Sequence, residues 1–279
     1  MSYWHAIILA IIEGLTEFLP VSSTGHMIIA SALLGIPITD FTKLYLVVVQ
    51  LGAILSVFAV YWRRFFQSVD FYLKLLVAFL PIVVVGFFLK KYIDALLESV
   101  GVVALMLVLG GVVLLFIDRW FPPREAEVGA PGEAAVPNPS FRQAFTIGVF
   151  QCLAVVPGTS RSAATIVGGL SQRLTRRAAA EFAFFLAMPT MLAASVKDLY
   201  DYYKEAKAHG IPLGHLFSAE QVKQLAVGNA VAFVVALLAI RLFVGFVAKN
   251  GFRAFGIYRI IAGGILLLML ALKLNLQLV

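Results

Sequence analysis

Charge is scarce in this chain: 13% of its 279 residues are Asp, Glu, Lys or Arg, against 61% hydrophobic. A soluble domain has about a quarter of its residues charged. The polar surface needed to dissolve a core is therefore missing, and with a mean hydropathy of +0.95 the bilayer must be the solvent for most of the chain. Cysteine occurs once, at Cys152, which excludes an internal disulfide and a cysteine-rich metal site. That residue reads as a small core side chain. No basic, aromatic-laced polar patch is present, so nucleic acid is not expected as a partner. The formal charge of +7 fits anionic lipid headgroups instead. Met1 to Leu9 lacks a basic n-region, so no cleavable signal is expected.

Long apolar runs take the place of charge. Leu44–Tyr61, Phe71–Leu89, Val100–Ile117, Ala179–Val196, Leu225–Val247 and Phe255–Leu272 each approach the ~20 residues needed to cross the hydrocarbon core. Between the third and fourth, residues Phe121–Ser140 carry Pro122, Pro123, Pro131, Pro137 and Pro139 and read as a flexible linker. Arg63, Arg64, Arg119, Arg124, Arg173, Arg176, Arg177, Lys249 and Arg253 fall on one side of the predicted spans, which is read as cytoplasmic; Lys90, Lys91, Lys204 and Lys207 fall on the other.

Two further apolar stretches, Ala6–Leu19 and Phe145–Val156, are too short to span. Each runs into a proline and a hydroxyl-rich turn, Pro20-Val21-Ser22-Ser23-Thr24-Gly25 and Pro157-Gly158-Thr159-Ser160-Arg161-Ser162, and then into another short apolar piece. The pattern predicts two re-entrant hairpins whose tips lie inside the membrane, tolerable only where they line a cavity or are buried in protein. The fold expected is an all-α polytopic membrane protein of six transmembrane helices plus these two hairpins. Each half reads as a hairpin and three spans (residues 1–120 and 141–279, joined by 121–140). Leu109-Gly110-Gly111 in one half parallels Ala262-Gly263-Gly264 in the other. Three spans per repeat invert the second copy, so the first hairpin enters from outside and the second from the cytoplasm.

The densest polar cluster lies in the first hairpin. Glu13 and Glu17 are four apart and share a helix face. Two carboxylates in a dry site need a cation, a shared proton or an arginine, and Mg²⁺ or Ca²⁺ suits them as metal ligands. Ser22, Ser23 and Thr24 stand at the start of the second half-helix, where free N–H groups and hydroxyls cradle anions, with His26 about one turn further on. Matching Pro20 to Pro157 sets Ser22 over Thr159, Ser23 over Ser160 and Thr24 over Arg161. Two helix starts with one guanidinium between them fit a diphosphate. Ser22, Thr24, Thr159 and Ser162 also read as simple caps, Gln50 as an interhelical hydrogen-bond donor, Arg241 and Arg259 as snorkelling side chains, and Glu181 as locally paired.

At these residues the chain resembles the undecaprenyl-diphosphate phosphatase family, also called the bacitracin-resistance protein family. The likeness runs through the stretch from Glu13 to His26, through Val48-Val49-Gln50-Leu51-Gly52, through Pro157-Gly158-Thr159-Ser160-Arg161-Ser162 and through Tyr258-Arg259-Ile260. Ala163 departs from it, standing where the family usually has Gly. The resemblance implies hydrolysis of undecaprenyl diphosphate to undecaprenyl phosphate, which recycles the lipid carrier of peptidoglycan synthesis and confers bacitracin resistance. It also implies a bacterial inner-membrane location with the site open to the periplasm, and dependence on a divalent cation. Glu13, Glu17, Ser23, His26 and Arg161 match the family's functional residues, with Ser22, Thr24, Thr159 and Ser160 as phosphate contacts. Expected partners are the polyprenyl diphosphate lipid, the bilayer and, as an assembly, a homodimer.

The mechanism expected has Ser23 attacking the terminal phosphorus with His26 as general base and later acid. His26 as nucleophile, or a glutamate activating water, are the alternatives. Inverted repeats with broken helices also mark transporters, so a carrier or flippase for an anionic lipid is the competing reading. A phosphatidate-type phosphatase would call for a second His with an Asp partner, which the tips lack.

Overall fold

In the computed structural model, residues 1–37, 39–66, 69–97, 99–122 and 138–272 are described. Most of the predicted linker at Phe121–Ser140, with Pro123, Pro131, Pro137 and Arg124, lies outside them, as do the side chains of Lys90 and Lys91. The described residues form short helices α1 (Tyr3–Thr16) and α2 (Ser23–Leu33) and long helices α3 (Asp40–Tyr61), α4 (Val69–Leu97) and α5 (Val100–Trp120). The order then repeats, with short α6 (Phe141–Gln151) and α7 (Arg161–Ser171) followed by long α8 (Arg176–Ala208), α9 (Ala219–Asn250) and α10 (Arg253–Ala271). Two short helices and then three long ones thus occur in each half.

Six helices are long and apolar enough to cross a membrane, and every predicted span falls within one of them or one residue past it. The chain is a multi-pass membrane protein. Helices α4, α8 and α9 run well beyond the predicted windows. Their polar continuations stay helical because hydropathy marks where the hydrocarbon ends, not where hydrogen bonding ends. In α8, Lys197 bonds Asp201 one turn on at 3.0 Å. Side-chain caps set the starts: Ser140 with Gln143 and Ser218 with Gln221 form capping boxes, and Thr39, Ser99 and Thr175 each accept a first-turn N–H.

Helix pairs close on small residues, as expected where lipid supplies no hydrophobic drive between helices. Helices α5 and α10 close on glycines: a Cβ on Gly256 of α10 would stand 2.8 Å from the Gly111 carbonyl of α5, and the converse holds at the same distance. Large apolar side chains such as Phe87, Phe88 and Leu242 point outward at 79%, 74% and 75% exposure, which only lipid can cover.

Contacts at the helix ends define two poles. At one, Arg64 after α3 meets Glu181 of α8, and Asp118 of α5 binds Arg176 of α8 at 2.8 Å and the backbone N–H of Phe252 between α9 and α10. Arg63, Arg64, Arg119, Arg173, Arg176, Arg177, Lys249 and Arg253 belong to this pole. The open end of the α6/α7 pair lies there too, since Lys74 near the start of α4 donates to Asn138. At the other pole, Gln224 near the start of α9 donates to the Met1 carbonyl beside α1, so the open end of the α1/α2 pair sits there.

Candidate active site

The turns of the two short-helix pairs meet. Helix α2 begins after Ser22 and α7 after Ser160. Both serines have positive φ, 70° and 73°, and both hydroxyls accept the backbone N–H three residues on, from Gly25 and Ala163. The departure at Ala163 therefore leaves the cap intact, because the contact uses its backbone. Positive φ at a non-glycine residue costs about 1–3 kcal/mol and persists only where surroundings fix it. The proline-based matching is one residue out. Ser22 corresponds to Ser160, not to Thr159, and the first residue of each helix is Ser23 on one side and Arg161 on the other. The reason is that the second turn carries one extra residue, with Gly158 at φ 88°.

Those two first residues converge on Glu17. The Ser23 hydroxyl donates to Glu17 Oε2 at 2.6 Å, and Arg161 Nη2 donates to Glu17 Oε1 at 3.2 Å. Helix α8 forms the back wall. Arg161 Nη1 donates to the Ala183 carbonyl at 3.0 Å, and Phe18, next to Glu17, packs edge-on against Phe184 at 5.2 Å. Ser162 is no cap: its hydroxyl donates to the Phe18 carbonyl at 2.8 Å and ties the turns together. A cavity of about 190 Å³ opens here, with Glu17, Ser22, Ser23, Thr24, Ser160 and Arg161 in its wall. Arg161 Nε is buried with no hydrogen-bond partner among the described residues, leaving a donor for an incoming oxyanion.

Glu13 lies one turn behind Glu17 and is 1% exposed. Its Oε1 is buried and has no hydrogen-bond partner among the described residues. Glu13 lines an adjoining cavity of about 300 Å³ that shares Thr24, Gln50 and Pro157 with the first and reaches Lys43 and Asp198 near the α1 pole. Gln50 makes no hydrogen bond to another helix among the described residues. It faces both cavities, contrary to the interhelical role expected.

His26 sits apart from this chain of contacts. Its Nδ1 lies 2.8 Å from the Ser22 carbonyl and its Nε2 lies 2.5 Å from the Tyr258 hydroxyl, with the two rings stacked 5.4 Å apart. Thr159 does not line the cavity. Its carbonyl is used and its hydroxyl is buried without a hydrogen-bond partner among the described residues. Cys152 is partly exposed in a 3-10 turn, not in the core, and donates to the Gly148 carbonyl. Glu181 pairs locally with Arg177, as expected, and also with Arg64.

The largest revision concerns Arg259. It does not snorkel: it is 0% exposed. Nε donates to Leu107 O at 3.3 Å, Nη1 to Pro20 O and Thr159 O at 3.1 and 2.9 Å, and Nη2 to Met106 O and Gly158 O at 3.0 and 2.9 Å. All five N–H donors of the guanidinium are thereby used on carbonyls of both turns and of α5. Gly110 makes room, since a Cβ there would overlap the guanidinium. A lone arginine in an apolar helix is the signal that should have exposed this role. Tyr258, quoted in the motif but given no task, is the other missed residue.

Two carboxylates and two guanidinia leave the site near neutral, too little positive charge for a diphosphate. The unpartnered Glu13 oxygen beside Glu17 is suited to a hard cation, and Mg²⁺ is commonly held by one or two carboxylates with substrate oxygens completing its shell. Among the described residues no third Asp, Glu, His or Cys joins them, so a Ca²⁺ site of six to eight oxygens fits less well.

Comparison with known proteins agrees with the motifs. The model of the family described as bacitracin resistance protein BacA matches residues 6–265. An undecaprenyl-diphosphatase of Flavobacterium psychrophilum is 57% identical over 269 residues, 96% of each chain. One of Bdellovibrio bacteriovorus is 47% identical over the full length of both chains, and one of Porphyromonas gingivalis is 47% identical over 97% of each. With a family match over nearly its whole length and relatives this similar, the chain belongs to the BacA bacitracin-resistance family.

Proposed function

We propose that the chain is an undecaprenyl-diphosphatase whose reaction takes place where the two turns meet. The observation that carries this is the Ser23–Glu17–Arg161 array, a nucleophile, a proton acceptor and an anion donor held within hydrogen-bonding distance of one another. The two short-helix pairs act as re-entrant hairpins of an inverted repeat. Their open ends at opposite poles support that reading. The Lys43 and Asp198 mouth then faces the periplasm of a bacterial inner membrane and the arginine-rich pole faces the cytoplasm. The polyprenyl tail stays in lipid while the diphosphate enters the cavity.

Arg161 Nε, the α2 and α7 N-termini and the hydroxyls of Thr24 and Ser160 take the phosphate oxygens. Ser23 Oγ attacks the terminal phosphorus as Glu17 accepts its proton, and the lipid monophosphate leaves. Water then releases phosphate from Ser23, with Glu17 receiving and returning the protons. His26 has both ring nitrogens engaged elsewhere, so Glu17 replaces it as the base, and His26 with Tyr258 steadies the first turn of α2. A divalent cation held by Glu13 and Glu17 supplies charge neutralisation of the diphosphate when bound. A carrier of anionic lipid needs no hydroxyl bonded to a carboxylate, so Ser23 would be idle in it.

Phosphate release from undecaprenyl diphosphate by purified protein tests this. Glu17→Gln and Arg161→Ala each lower kcat by about 10²–10⁴-fold, and chelator suppresses the wild-type rate until Mg²⁺ is restored. Unchanged rates in both variants with native melting curves would refute the site.

A further inference from the structure

The arginine-rich pole carries a separate cavity of about 530 Å³ whose wall includes Arg63, Arg64, Arg177, Arg241, Ile240 and Val244. It lies beside Tyr61, eleven residues along α3 from Gln50 of the catalytic cavity, or roughly 16 Å of helix. Four guanidinia from three elements face this one space, and among the described residues a single carboxylate answers them. Glu181, 0% exposed, binds Arg64 Nη1 at 2.5 Å and Arg177 Nε at 3.0 Å. Arg64 also lies 5.2 Å over the Tyr61 ring. Two of the four cations are thus fixed in place by a buried anchor. Arg63 and Arg241 contact no carboxylate among the described residues.

The depth is informative. Arg241 is nine residues from the end of α9 at Asn250, roughly 14 Å along the axis, within an otherwise apolar run. A guanidinium at that depth is costly unless an anion or water meets it. The neighbouring outward residues Leu242 and Phe246 are 75% and 40% exposed and apolar, a surface for acyl chains beside the charged pocket. A net of three positive charges without a carboxylate among the described residues, with forked donors that match phosphate oxygens, is the complement of a lipid phosphate.

We infer that this cavity binds the phosphate headgroup of an anionic membrane lipid at the pole opposite the catalytic mouth. Its chemistry admits either a bulk anionic phospholipid or a polyprenyl monophosphate. Native mass spectrometry of the purified protein with dioleoylphosphatidylglycerol, dioleoylphosphatidylcholine and undecaprenyl phosphate tests it. Wild type retains phosphatidylglycerol at least tenfold more tightly than phosphatidylcholine. The pair Arg63→Gln with Arg241→Gln weakens anionic-lipid retention about thirtyfold, and Arg63→Lys with Arg241→Lys restores most of it. If the glutamine pair fails to fold, Arg241→Gln alone is read, with a loss of about fivefold. Displacement of bound phosphatidylglycerol by equimolar undecaprenyl phosphate assigns the site to the polyprenyl lipid; resistance to it assigns the site to bulk lipid. Wild-type indifference between phosphatidylglycerol and phosphatidylcholine, or equal retention by wild type and the folded glutamine variant, overturns the inference.

Discussion

Arg259 shows how much one residue can organise. Its five bonds fasten Pro20 of one turn, Gly158 and Thr159 of the other and Met106 and Leu107 of α5, so the spacing of Ser23 from Arg161 depends on a group outside the cavity wall. Lysine, with three donors, leaves at least two of these carbonyls unpaired. Arg259→Lys is expected to lower stability by roughly 2–5 kcal/mol and to reduce kcat by up to about 10²-fold through misplacement of the turns, with KM changed far less. Thermal unfolding in detergent and steady-state kinetics check both parts. The residues proposed for the chemistry stand out in the sequence because each is polar in an apolar stretch, and Glu13, Glu17, Ser23 and Arg161 all reach the paired cavities. Partnership was not legible. That Arg259 is buried depends on contacts with residues a hundred or more positions away in the chain, and that Glu17, only six residues from Ser23, faces it depends on how the turn between them folds back.

At the scale of elements, the short helices carry the geometry and the long ones brace it. Both turns place a serine at positive φ directly before a helix, which sets the first helical residue, Ser23 or Arg161, at the junction. Ser160→Gly removes the side-chain cap but relieves the left-handed backbone, whereas Ser160→Ala loses the cap and keeps the strain. Glycine is therefore expected to be the more stable of the two by about 1–2 kcal/mol, read from melting temperatures of the two variants. Apolar run length located all six long helices, since a ~20-residue hydrocarbon crossing leaves a direct mark on sequence. The register between the two turns was misread by one residue because proline marks where a helix starts only approximately, and Gly158 lengthens the second turn.

On the scale of the whole molecule, charge separates the poles. The mouth with Lys43 and Asp198 lies at one, and the arginine-lined cavity lies at the other. With Cys152 replaced by Ser, Lys43→Cys is expected to react with a membrane-impermeant maleimide in intact spheroplasts. Arg253→Cys, exposed at the start of α10, is expected to react only after permeabilisation. The reverse pattern would invert the topology. The gathering of the arginines on one side was readable from the sequence, and that this side faces the cytoplasm is the proposal the labelling tests. The second cavity was not, because its four arginines come from three elements that only folding gathers.

The most direct test of the two-turn site is the turnover of purified Ser23→Ala on undecaprenyl diphosphate, with affinity for a non-hydrolysable methylene analogue measured in parallel. Loss of at least about 10³-fold in kcat with analogue affinity within a few-fold of wild type is the outcome expected if Ser23 Oγ attacks phosphorus. A folded Ser23→Ala enzyme turning over within threefold of wild type would remove the nucleophile, and with it the role given to the meeting of the two turns.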